Sequence, residues 1–184
     1  MQKKYLVICT LLIYSCQEPP QENIYAPPLE KELFDNKLHI NLEVNDFWSK
    51  ISKINLLENS MLSINKNKKQ ATFEINPENI QEYIDCGMMN DELYVNYISR
   101  IFDASLGIKT IINARPLNED SSEIQIISNY QFTSIETGTR WDFKTNEPKL
   151  ILVGTPAYGA EPYRTCLSKN ILESSLKNEI RLLE

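Results

Sequence analysis

The chain has 184 residues, 42% of them hydrophobic and 24% charged, an ordinary globular composition with enough length for one domain and a sizeable core. Its formal charge of −6 comes with no basic cluster, so it has no electrostatic footprint for a phosphate backbone, and nucleic acid is set aside as a partner. It has a single histidine and no glycine-rich phosphate loop, histidine–carboxylate cluster or nucleophile elbow, so the expectation is a non-enzymatic chain with no cofactor and no metal.

The first residues read as an address. Lys3 and Lys4 form a short cationic start, and Tyr5 to Tyr14 form an apolar stretch of about ten residues, half of the roughly twenty that span a bilayer. The ending Ile13-Tyr14-Ser15-Cys16 resembles the lipobox of bacterial lipoproteins, with Tyr14 standing where that pattern favours a small residue. The resemblance implies a signal peptide over residues 1–15 and diacylation of Cys16. The alternatives are an ordinary cleaved signal or an N-terminal anchor, with Cys16 an incidental thiol. Cleavage before Cys16 removes two lysines and no acid, which makes the remaining chain more acidic by two charges. With no polybasic segment, membrane attachment then rests on the acyl chains. In such lipoproteins an aspartate after the cysteine favours inner-membrane retention. Gln17 here points to the outer membrane, facing the periplasm, with the inner membrane as the alternative.

In that compartment the cysteine count closes. Cys9 lies in the removed stretch and Cys16 carries lipid, which leaves Cys86 and Cys166 as an expected disulfide. A metal pair or a catalytic thiol are the rival readings. The first lacks further ligands at short spacing, and the second lacks a cationic neighbour, since Asp85 adjoins Cys86.

Residues 16–32 read as a lipidated cysteine and a tether: Gln17 to Glu30 holds four of the nine prolines, and such chain extends about 3.1 Å per residue. Ile24 and Tyr25 are candidates for docking on a partner, but a solvated linker is the preferred reading. Residues 33–184 form the domain. Leu38, Ile40, Leu42 and Val44 alternate with polar residues as in a half-buried strand, which turns His39 outward, with no carboxylate or second histidine expected beside it. Asn45 or Asp46 offers a cap for an amphipathic helix through Phe47, Trp48, Ile51 and Ile54 to Asn59. Met61 to Ile64 and Ala71 to Ile75 flank the polar turn Asn65 to Lys69 as a hairpin. Tyr83 to Gly87 reads as a short strand running into a turn. Leu93 to Phe102 suits a strand or a short helix, and the strand is favoured.

From Ile108 the pattern is β: Ile108 to Pro116, Glu123 to Ile135, Thr139 to Lys144 and Lys149 to Thr155, joined by short polar turns into an antiparallel meander. Pro156 to Arg164 is expected as a loop leading to Cys166. Asn170 with Glu173 forms a capping pair for a last helix bearing Leu172, Leu176, Ile180 and Leu183 on one face.

These elements predict one α+β domain, an antiparallel sheet covered by an N-terminal and a C-terminal helix in a helix-grip-like layout. Cys16, the tether and the segment from Phe47 to Ile75 resemble the BamC (NlpB) family of outer-membrane assembly lipoproteins. The tether here is shorter than that family's N-terminal arm, and one grip domain fits rather than more. The resemblance implies an anchored interaction module with an envelope protein partner. The alternative is a periplasmic carrier of lipid or another apolar ligand, in a cavity lined by Trp48, Phe73, Tyr97 and Phe132.

Overall fold

The computed structural model describes residues 24–29, 31–54, 56, 62–65, 67–101, 103–134, 139–152 and 163–184. The expected signal peptide, Cys16 and residues 17–23 of the tether lie outside them. In chain order, the first elements are β1 (Tyr25–Ala26), β2 (Lys37–Ile40), α1 (Val44–Lys50) with a 3-10 turn at Ile51–Lys53, β3 (Ser63–Asn65) and β4 (Gln70–Ile75). There follow α2 (Ile80–Tyr83), β5 (Ile84–Asp85), β6 (Met88–Met89), β7 (Glu92–Leu93) and α3 (Tyr94–Ile101). The last are β8 (Ala104–Pro116), β9 (Ser122–Ser134), β10 (Thr139–Lys144), β11 (Lys149–Leu152), β12 (Tyr163–Ser168) and α4 (Ile171–Arg181). Among the described residues the fold is α+β, mostly antiparallel sheet with four short helices.

The long hairpin β8–β9 is its spine, in register from Ala104 opposite Ser134 to Pro116 opposite Ser122. Period-two alternation sorts its side chains: Leu106, Ile108, Ile112, Ile124, Ile126 and Phe132 are buried on one face, while Lys109, Asn129 and Gln131 line the other. β4 continues the sheet beyond β8, and β3 pairs with β4 as the expected hairpin. On the other side, β9 is completed by two strands laid end to end. β2 covers Ser122 to Gln125 and β10 covers Asn129 to Ser134. Thr145 spans the join, donating its N–H to the Ser128 carbonyl (3.0 Å) and accepting the Ser128 N–H on Oγ1 (2.8 Å).

The apolar face is covered by α1 and α4. Phe47, Ile51 and Ile54 from the first region, and Leu172, Leu176 and Ile180 from the second, are buried. Each such side chain is worth about 1.5–3 kcal/mol relative to exposure. Lys50 Nζ reaches the Leu183 carbonyl at 2.9 Å and ties the two regions together. Two small sheets complete the domain, in the orders β1-β6-β7 and β11-β12-β5.

Several expectations are corrected. Residues 94–101 are helical, not a strand: Tyr94, Val95 and Ile98 are buried while Asn96, Ser99 and Arg100 are exposed, so helical spacing of the buried set overrides β propensity. Helix α1 begins at Val44, with Glu43 at the cap position, so Asn45 and Asp46 lie inside it and β2 ends at Ile40. The helix gives way to the 3-10 turn at Ile51, and positions 55 and 57–59 of its expected continuation lie outside the described residues. Cys166 sits in strand β12, which takes β11 as its partner, so the meander stops at β10. Residues 24–26 are not simply a solvated linker: β1 pairs with β6, and Ile24 exchanges two hydrogen bonds with Asn90, both at 2.9 Å.

Candidate functional site

The expected disulfide is present. β5 and β12 run antiparallel with Asp85 opposite Leu167, so the next pair in register, Cys86 and Cys166, meets with 4.1 Å between Cα atoms and both residues buried. Tyr25 docks over this junction, its hydroxyl donating to the Cys86 carbonyl (3.0 Å) and accepting the Thr165 N–H (3.1 Å). Asp85 Oδ1 accepts from Gly87 N–H at 2.9 Å, a turn-forming role rather than an activating one for a thiol. Gly87 has φ +78°, and a Cβ there would stand 2.2 Å from the Ala26 carbonyl oxygen, so only glycine lets β1 lie down.

A buried polar hub joins α4 to the sheet. Glu173 is fully buried, and the Tyr130 hydroxyl lies 2.8 and 2.9 Å from its two carboxylate oxygens. Thr145 Oγ1 donates to Oε1 at 2.7 Å. Behind them, the Ser168 hydroxyl donates to the Tyr130 oxygen (2.7 Å), and the Asn170 N–H donates to Ser168 Oγ (2.9 Å). Burial, and then the Glu173 charge, push the Tyr130 phenol well above its ordinary value, so it stays a donor. Among the described residues no lysine or arginine pairs with Glu173. The expected capping pair is therefore corrected. Asn170 does occupy the cap position of α4, with φ 58°, but makes no side-chain cap bond, and Glu173 turns inward. The signal was available: Glu173 sits three and seven positions before Leu176 and Ile180, on the stripe that should be apolar.

His39 is exposed as expected, but the expectation that no carboxylate stands beside it is corrected. The pairing of β2 with β9 puts Glu123 opposite it, with Nε2 to Oε2 at 3.4 Å. Glu123 also takes Arg115 at 2.8 Å and Lys37 at 3.7 Å, and the Arg115 hydrogen bond, followed by that of His39, holds its carboxyl below the usual range.

The residues proposed for a carrier cavity do not meet in either hollow described below. Phe73 and Phe132 are fully buried, Phe132 stacks on Trp141 at 5.0 Å, and Trp48 packs edge-on against Phe47 at 5.0 Å. Tyr97 lies on α3 against Tyr94.

The polar face of the sheet carries instead a groove of about 670 Å³ across β4, β8, β9 and β10. Its floor opens at Gly107, where an added Cβ would meet only Asn76 Oδ1, at 3.4 Å. Its walls are ion pairs: Lys109 with Glu74 (2.6 Å), Arg140 with Asp142 (2.8 Å) and Lys144 with Glu147 (3.3 Å). The Gln131 amide, with its oxygen turned to the guanidinium, accepts from Arg140 at 2.7 Å. Each charge here has an opposite partner, so the groove is dense in hydrogen-bonding groups and close to neutral. Lys144, Glu147 and Pro148 also line a second hollow of about 300 Å³, whose other wall is Pro28, Lys31 and Leu33.

No family model, curated protein or solved structure matches the chain. Among the described residues there is no group of three or more metal-ligating side chains, and no helix long and apolar enough to cross a membrane.

Proposed function

We propose that the chain is a lipoprotein held by acyl chains on Cys16 at the outer membrane, facing the periplasm. It acts as a non-enzymatic interaction module of helix-grip type, an accessory of outer-membrane protein assembly that meets an envelope protein through its polar groove. One contrast supports this over a carrier: the apolar face is filled by ring against ring and by two helices, while the hollow of useful size lies on the polar face. Paired charges and amides there suit a protein surface better than a lipid tail.

The test places a photo-crosslinking residue at Asn129 or Gln131 in intact cells, with Asp46, on the exposed side of α1, as the control. The expected product joins the groove positions to an outer-membrane protein or a component of its assembly machinery. It should disappear with Gly107→Trp, which fills the groove from its floor. Native mass spectrometry showing a stoichiometric lipid inside the purified chain would replace this reading with the carrier.

A further inference from the structure

Segment 24–35 is clamped at both ends. At one end β1 pairs with β6, Ile24 is held by Asn90, and Tyr25 by Cys86 and Thr165. At the other, the Asn146 amide grips Phe34 on both sides, accepting its N–H (2.7 Å) and donating to its carbonyl (2.8 Å), while Lys177 bonds Asp35. Between the clamps the largest apolar side chains point away from the core: Leu29 is 83% and Leu33 79% exposed, with Ile24 at 72%. A scattered exposed leucine is ordinary, whereas three large aliphatics within ten residues of a fixed strap need a cover.

The chain beyond the strap names that cover. Ile24 lies eight residues after Cys16, and a fully extended chain advances at most about 3.3–3.6 Å per residue, so an acylated Cys16 keeps the Ile24 end of the strap within about 29 Å of the bilayer. We infer that the strap is a second membrane contact, with Leu29 and Leu33 seated in the headgroup–acyl boundary. This rests on the proposed lipidation of Cys16. Glu30, Lys31 and Glu32 between the leucines leave a net charge of −1, so no electrostatic attraction draws the strap to an anionic surface; the contact rests on apolar burial and is not weakened by salt. Because the small hollow joins the strap to the Lys144–Pro148 end of the groove, this contact brings that end of the groove close to the membrane and favours a partner embedded in the same bilayer.

The test uses the full lipidated chain in phosphatidylethanolamine–phosphatidylglycerol bicelles doped with a nitroxide lipid. Amide signals of Leu29 and Leu33 should lose at least half their intensity, in low and high salt alike. Signals from Ile64 and Lys68, at the far edge of the sheet, should keep theirs. In Leu29→Ser/Leu33→Ser the broadening at the strap should fall at least threefold. Mass spectrometry of the N-terminal peptide from the same sample reports acylation separately. An acylated Cys16 with no broadening at the strap, or broadening unchanged in the double variant, overturns the second contact and leaves the anchor standing. A peptide without acyl chains overturns both.

Discussion

Removing the bridge with Cys86→Ala/Cys166→Ala should cost most of what a native disulfide gives, and it should do so through the unfolded chain. The half-cystines are 80 residues apart in sequence, and the chain-entropy relation for a closed loop of that length gives about 4.5 kcal/mol at 25 °C. Against a total of about 5–15 kcal/mol, that is a large share. At about 2–4 °C per kcal/mol for a chain of this size, the melting temperature should fall by roughly 9–18 °C. The folded state keeps its other local ties: the β5–β12 pairing, the Lys169 N–H to the Tyr83 carbonyl at 2.8 Å, and the Tyr25 hydroxyl across the junction. Unfolding in urea should therefore be nearly as slow in the variant as in the parent, with most of the loss in the refolding rate. Circular-dichroism melts and stopped-flow kinetics read both quantities. A fall under about 3 °C, or a loss carried wholly by faster unfolding, would refute the entropic account, and two alkylatable thiols in unreduced, denatured protein would refute the bridge itself.

Glu173→Gln keeps shape and an acceptor while removing an unpaired buried charge, so its urea midpoint should stay within about 1 kcal/mol of the parent. Glu173→Ala strands the Tyr130 and Thr145 hydroxyls and should lose about 3–5 kcal/mol; equal losses in the two variants would mean the hydrogen bonds are not what holds the site. Gly87→Ala forces a methyl against the Ala26 carbonyl at a left-handed φ, so about 1–2 kcal/mol of stability and the protection of residues 24–29 from proteolysis should go together. An unchanged digestion pattern there would place β1 elsewhere. The Glu123 carboxyl is held low in the folded state, so its stabilisation is complete above the ordinary value of 4.5 and is lost as pH falls below it. Acid titration of Glu123→Gln should show a flatter decline over that window, and a parallel decline would mean that Arg115 and His39 do not stabilise the carboxylate.

What was legible in the sequence was whatever repeats at short range. The alternation in Ile108 to Pro116 and Glu123 to Ile135 predicted the β8–β9 spine, and the Leu172, Leu176, Ile180 spacing predicted α4. The disulfide was legible from the cysteine count together with the compartment expected from the first residues. Neighbours brought together by strand pairing were not: Glu123 reaches His39 only because β2 pairs with β9, and Tyr25 reaches Cys86 only because β1 lies on β6. At Tyr94 to Ile101 the residue types favoured a strand, and the helix wins because only it buries Tyr94, Val95 and Ile98 together. Glu173 was read by a local rule for helix starts, while the tertiary demand of the Tyr130 and Thr145 hydroxyls decided its direction. The groove had no sequence signature, since Gly107 and the paired charges acquire meaning only side by side on one face.

The composite edge of β9 also constrains the order in which the molecule assembles. During synthesis Leu38 emerges long before Ile124, the residue it must lie beside, and the strand that completes the same edge, β10, arrives later still. β2 therefore spends its early life with no strand to pair with, and its docking must close a loop that encloses α1, the first hairpin and the whole β8 strand, a slow step by the logic of contact order. The spine and β10 can form first from neighbouring sequence. β2 then slots into a half-built edge whose far end Thr145 has already marked, as a late keystone whose release would be the first step of local opening.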